Sequence, residues 1–187
     1  MRIKIGTQRK KMNSIIKKSS LKIGLVLAIL QMLITLHLYY NGSFVDTKFG
    51  ILILLLNVIF GAISIFIVKK KLLDISLREA FSAYMIPIIF SILIWSSFYF
   101  LFFKTFATEE KKEKIKIEIA DFQLKNMQLN DFSKADIKKN IELSKEISPF
   151  DFGVVFQSAF RYFILYAILG IIIAFIFKNK SSFQEPK

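Results

Sequence analysis

The sequence predicts an all-α integral membrane protein with four transmembrane helices and an extramembrane helical hairpin between the third and fourth spans. Three observations carry that reading. Of the 187 residues, 54% are hydrophobic and 21 are Phe, more apolar surface than a water-soluble domain of this size can hide in one core. That surface is gathered into four runs of about 18 residues or more, the length needed to cross a hydrocarbon layer about 30 Å thick at about 1.5 Å per residue. The charge is sorted as well, lying between the runs and almost never within them.

In chain order, residues 1–22 form a basic leader with eight Lys or Arg and no acid. The first span is "IGLVLAILQMLITLHLYY", Ile23 to Tyr40. No Ala-x-Ala-like site closes it before "NGSF", so it reads as an uncleaved signal anchor. A short loop, 41–48, carries one charge of each sign. The second span, Phe49 to Val68, leads to the loop 69–79, "KKKLLDISLRE", with four bases and two acids. The third span is Ala80 to Phe103 and the fourth is Val154 to Phe177. Between them, residues 104–153 hold ten bases and ten acids, and the tail 178–187 holds three bases and one acid. Lys and Arg beside short segments hold those segments in the cytoplasm. Both termini and the second loop are therefore expected there, and the first loop and residues 104–153 outside.

Divided this way, the formal charge of +13 is +12 on the cytoplasmic pieces, zero on the exterior pieces, and Arg161. The basicity is a topology signal. The leader has no aromatic platform or readout face, so no nucleic-acid partner is expected. Its expected partner is the bilayer, where each basic residue near anionic headgroups contributes about 1 kcal/mol.

Residues 104–153 are the only part with room for an extramembrane fold. From Lys104 to Phe132, Ile117, Ala120, Leu124 and Met127 form one helical stripe, and Ile115, Ile119 and Phe122 a second beside it. "KIKIEI" alternates with the period of a strand, but Glu, Lys, Gln and Leu without Gly or Pro favour helix. Glu110–Lys114 and Lys114–Glu118 are expected i,i+4 ion pairs. The third span is expected to run on past the membrane surface as this helix. After a break at "LNDFS", Ser133 is placed to cap a second helix, "SKADIKKNIELSKEIS", with Asp136 at its N-terminal end. Pro149 and Gly153 close it.

Polar groups within spans mark functional sites by default. Gln31 and Asn57 lie near mid-depth in the first two spans, where a hydrogen bond between them would join the helices at about 0.6–2 kcal/mol. Arg161 is the one formal charge well inside a run, about two turns in by this reading. It is expected to act as a snorkelling anchor, with a functional charge as the alternative. His37 has no second histidine or intramembrane acid near it, so no metal or proton relay is expected. Gly24 with Ala28, and Gly170 with Ala174, are small-residue pairs one turn apart. They predict close packing between the first and fourth spans, or a dimer contact. Trp95, Tyr99, Tyr39 and Tyr40 are expected as an aromatic belt at the outer interface.

There is no cysteine, which excludes disulfides and thiolate chemistry. No zinc-protease, nucleophile-elbow or phosphate-loop motif occurs. No catalytic residue, cofactor site or metal site is expected, and broken-helix repeats of a transporter are absent.

Three stretches carry a resemblance. A basic loop leads through "LLDISLREAFSAYMIPIIFSIL" into the third span, a charged helical insert follows it, and "SPFDFGVVFQSAF" leads to a last span ending "ILGIIIAFIFKNK". Over about residues 20–180, with soft positions such as Ala80, Phe81, Pro149 and Gly170, the chain resembles an uncharacterised four-span bacterial family, domain of unknown function 4199, best represented in the Bacteroidetes. The resemblance implies a bacterial inner membrane and carries over no activity. The expected role is a non-enzymatic assembly or interaction component, partnered by a second copy or by another membrane or envelope protein. The alternatives are a small-solute transporter or channel subunit, with Gln31, Asn57 and Arg161 lining a path, and an accessory subunit of a membrane glycosyltransferase.

Overall fold

The computed structural model describes residues 2–42, 44–45, 47–72, 74–137, 139, 141 and 148–178, with side chains described from Met12 onward. Five long helices follow in order: α1 (Arg2–Asn41), α2 (Thr47–Leu72), α3 (Leu77–Thr105), α4 (Glu109–Leu129) and α5 (Phe152–Phe177). Four segments are long and apolar enough to cross a membrane: Met12–Asn41, Thr47–Leu72, Leu77–Thr105 and Phe152–Phe177. The chain is a multi-pass, all-helical membrane protein.

Helix ends fall beyond the apolar runs because polar residues cap and extend them. The basic leader and first span form one helix, α1. Lys69, Lys70 and Lys71 occupy the last turn of α2, where positive charge meets the unpaired carbonyls. Ser76 and Glu79 close a reciprocal capping box, Ser76 N to Glu79 Oε2 at 2.9 Å and Glu79 N to Ser76 Oγ at 3.4 Å. This box starts α3 three residues before the apolar run.

The four spans form a rhombic bundle whose short diagonal is α2 and α3. Helix α3 packs on α1, α2 and α5, while α1 and α5 lie at opposite corners without substantial contact. This corrects the expected pairing of the first and fourth spans. A Cβ added at Gly24 would lie 2.7 Å from Pro87 O, and one added at Gly170 would lie 2.6 Å from Tyr84 Cδ1. Both small-residue faces meet α3 instead, with Ala28 and Ala174 fully buried beside them. A small residue permits close approach without saying which helix approaches. Gly61 on α2 completes the arrangement, since its added Cβ would be 2.5 Å from the other edge of Tyr84. The Tyr84 ring is thus held between two glycines on two helices.

The third span does not run on into the charged segment. Helix α3 ends at Thr105, and Thr108 caps a new helix by accepting from Lys111 N at 3.4 Å. The acids Glu109 and Glu110 in its first turn suit the N-terminal dipole. The ion pair along α4 among the described residues is Lys112 Nζ to Glu109 Oε1, 2.7 Å, in place of the expected Glu110–Lys114 and Lys114–Glu118 pairs. The ammonium of Lys114 instead approaches Gly42 at the end of α1. Ser133 starts the next helical stretch as expected: Asp136 N donates to its Oγ at 3.2 Å and Ile137 N to its carbonyl at 3.0 Å. The rest of the expected second helix includes residues 138, 140 and 142–147, which lie outside the described residues.

Candidate functional site: a polar seam and lateral cleft within the bundle

Polar side chains in the spans collect along the bundle interior in three levels. Nearest the Lys69–Lys71 end, Ser64 Oγ donates to Ser20 Oγ (2.9 Å), which donates to Ala83 O (3.3 Å). Pro87 explains that last bond. Lacking an N–H, it leaves the carbonyl four residues earlier without its helical donor, and that carbonyl is Ala83 O. A hydroxyl from α1 replaces the missing N–H, as a freed backbone group in a span requires. Beside it, Lys71 Nζ donates to Ser19 Oγ (2.9 Å) and Lys69 Nζ to Phe177 O (3.0 Å), the last carbonyl of α5.

At mid-depth, Gln31 Nε2 donates to Asn57 Oδ1 at 3.3 Å, joining α1 to α2. Asn57 Nδ2 donates back to Ile53 O at 2.7 Å, and Tyr166 from α5 lines the same cleft as Asn57. Thr35 Oγ1 donates to Gln31 O at 2.9 Å and accepts from Trp95 Nε1 at 2.8 Å, which adds α3. All four spans therefore meet around the Gln31–Asn57 pair.

The third level is aromatic. Tyr39, Tyr99, Phe102, Phe103 and Phe150 form a buried cluster with Ile115 and Val155. Phe103 and Phe150 stack with centroids 4.3 Å apart. Helix α4 docks here by its first two turns: Lys111 Nζ donates to Tyr39 O at 3.2 Å and sits 4.5 Å from the Tyr39 ring, while Thr108 N donates to the Tyr39 hydroxyl at 3.2 Å. Beyond Ile115, the side chains of Ile117, Phe122 and Leu129 are exposed.

The belt expectation is corrected for three of its four aromatics. Tyr39 and Tyr99 are buried in the cluster and Trp95 turns inward to Thr35, leaving Tyr40 exposed. The interior offers these rings both apolar contact and hydrogen-bond partners, so depth in the sequence did not specify the facing direction.

A cleft of about 170 Å³ opens beside the mid-depth seam, lined by Gln31, Gly50, Asn57, Trp95, Tyr162 and Tyr166 among others. Gln31 Oε1 is buried without a partner, as are Tyr84 OH and Ser96 Oγ. Arg161 is exposed on α5, nine residues from its start, about 14 Å along the axis. Among the described residues it makes no ion pair. It is not brought together with Gln31 and Asn57 in the cleft lining. His37 is exposed and its ring lies 3.0 Å from Asn41 Nδ2.

Several members of this site lay outside the sequence reading: Thr35, Ser20, Ser64, Tyr84, Gly61 and Tyr166. Signals for two of them were present. Thr35 is one turn beyond Gln31, and a proline inside a span demands a donor for the carbonyl it frees. Nothing in the sequence pairs Tyr84 with Gly61. Chemically the mid-depth level holds neutral amides, phenols, hydroxyls and one indole, with Lys69, Lys71 and Lys111 at the ends of the seam. Among the described residues no group of three His, Cys, Asp or Glu gathers. The arrangement is suited to holding helices together and to recognising a ligand by hydrogen bonds.

The chain belongs to the family described as Protein of unknown function (DUF4199), whose model matches residues 21–179. No curated protein and no solved structure matches it.

Proposed function

We propose that this member of the family is a non-enzymatic component of a bacterial inner membrane that assembles laterally, through α5, with another membrane protein. The observation that carries the reading is the state of α5. Its most apolar window is 17% buried, against 28–39% for the other spans, and its outer surface presents Gln157, Ser158, Arg161 and Tyr162 among exposed Phe and Ile. A guanidinium on the lipid face about 14 Å into the helix is unfavourable by about 2.5–3.5 kcal/mol at full depth. A partner that supplies a carboxylate or carbonyl removes that cost. No Asp or Glu lies within α5 or between Glu79 and Lys104, so a second copy has no mid-span acid to offer. A different membrane protein fits better.

The same reading places both termini in the cytoplasm and residues 104–153, with α4 folded onto the Tyr39 end, outside. Its support is the charge division of +12 against zero. A solute path through one copy is disfavoured, because Tyr84 fills the space between α2, α3 and α5 on one side of the cleft and the aromatic cluster fills the other.

The test is purification of tagged protein in mild detergent, with sizing and mass spectrometry of what co-elutes. A stoichiometric membrane partner is expected. Arg161→Leu should lose it and Arg161→Lys should retain part of it. A clean monomer or homo-oligomer, or a partner indifferent to Arg161→Leu, overturns the reading.

A further inference from the structure

The cleft between α2 and α5 has a feature that helix packing does not explain. Gln31 is 3% exposed and lines the cleft, yet its Oε1 has no partner. Its Nε2 is committed to Asn57 Oδ1. Rotating either amide does not help, because Asn57 uses its own Nδ2 on Ile53 O and turns only an acceptor toward Gln31. This acceptor has no partner in the chain and is covered at the edge of the cleft. A donor in the cleft therefore reaches it when the Gln31 side chain swings outward, and satisfying a buried polar group at hydrocarbon depth favours that swing.

The walls describe that donor. Ile53, Leu54, Ile92 and Ala159 make most of the lining apolar. The groups near Gln31 are neutral, and Arg161 is not among them. The cleft is open along α2 and α5: Tyr162 is 57% exposed, and nothing lies within 4 Å of a Cβ placed at Gly50. Since both helices are membrane spans, the opening faces the bilayer. At about 170 Å³ the space exceeds an apolar cavity of about 150 Å³ that accommodates benzene, and is far larger than the roughly 30 Å³ share of one water. It is too small for another helix.

We infer that the α2–α5 cleft is a binding site for a neutral amphiphile, entering sideways from the bilayer, whose hydroxyl or amide N–H donates to Gln31 Oε1. Its first methylenes lie on Ile53, Leu54 and Ile92, and its chain leaves past Gly50 into the lipid. The Tyr162 hydroxyl at the mouth is available to a second polar atom of the head group. The cleft shares Ser158 and Tyr162 with the α5 face of the assembly reading, but it is tested on the chain without a partner, so either reading can fail without the other.

The test uses the full chain in phosphatidylcholine nanodiscs, photolabelled with a diazirine-bearing long-chain fatty alcohol or with its methyl ether of equal length. The alcohol should label peptides around 50–57 and 158–166, about tenfold more efficiently than the ether, as one well-made hydrogen bond allows. Nothing stands within 4 Å of a Cβ at Gly50, so Gly50→Phe puts a ring at the cleft and should reduce alcohol labelling at least about tenfold while leaving circular dichroism and thermal midpoint intact. Gln31→Met should abolish the preference for alcohol over ether. If Gln31→Met does not fold, the ether comparison and Gly50→Phe decide alone. Equal labelling by alcohol and ether, the outcome for a water bound on Gln31, overturns the assignment. So does labelling that Gly50→Phe leaves unchanged.

Discussion

Replacing Gly61 by Ala would place a methyl carbon 2.5 Å from both Cδ2 and Cε2 of Tyr84. Carbons rest at about 3.5–4.0 Å, so roughly 1 Å must be found. The ring cannot retreat, because a Cβ at Gly170 on the far side would stand 2.6 Å from Cδ1 and 2.8 Å from Cε1, and Tyr84 is fully buried. Adding volume to a packed core costs about 1–3 kcal/mol, and the double wedge puts Gly61→Ala near the upper end. Better helix propensity returns up to about 1 kcal/mol, which leaves a net destabilisation of about 1–2 kcal/mol. Reversible unfolding in mixed detergent micelles, followed by far-ultraviolet circular dichroism, measures it. Tyr84→Ala is itself expected to cost about 3–5 kcal/mol through the cavity it opens. In that background Gly61→Ala meets empty space and should be neutral or stabilising, so the cycle should show a coupling of at least about 1 kcal/mol. An equal cost of Gly61→Ala in both backgrounds would refute the wedge. Tyr84→Phe is a sharp contrast: the hydroxyl has no partner, so removing it should be neutral or stabilise by up to about 1 kcal/mol.

Pro87 and Ser20 can be tested as a pair. Ser20→Ala should destabilise by about 1–3 kcal/mol because it strips the donor from Ala83 O, and Pro87→Ala should shrink that cost by restoring a helical N–H, in the same unfolding assay. Asn57→Leu removes the acceptor for Gln31 Nε2, for an expected loss of about 0.6–2 kcal/mol. Gln31→Leu together with Asn57→Leu should cost less than the sum of the single changes. Thr108→Ala loses the cap of α4 and about 1 kcal/mol of local stability, seen as faster amide exchange over residues 109–115 with the spans unaffected. For orientation, protease added outside spheroplasts should cut within residues 105–150, and cleavage confined to the termini would reverse the proposed topology.

The polar residues show where sequence reading reaches and where it stops. Gln31 and Asn57 were legible as partners because an amide in a span has few alternatives, and their depths in adjacent antiparallel helices coincide. Tyr166 and Trp95 join the same site from α5 and α3. A tyrosine or tryptophan in a span is equally at home at the interface, so their depth did not declare their direction. Ser76 and Thr108 carried local cap signals, Ser-x-x-Glu and Thr-Glu-Glu, that apolar run lengths alone passed over. Starting the fourth span at Val154 places Arg161 about two turns in. The helix begins at Phe152 and Arg161 faces outward.

By itself the sequence determined the class of the molecule: four apolar runs, each long enough to span, with charge sorted between them. Those properties follow from the solvent. Hydrocarbon excludes unpaired backbone groups and charge at every position, so the constraint acts residue by residue and is visible without a fold. The pairing of helices obeys a weaker rule. Lipid is as apolar as Leu, so what selects neighbours in a bilayer is shape and a few hydrogen bonds. Only the tertiary structure could decide that Gly24 and Gly170 both meet α3, that Ser20 answers Pro87, and that Gln31 keeps a covered acceptor without a partner beside a cleft. Each of these depends on which side chain stands opposite, a relation between distant residues that no single stretch of chain contains.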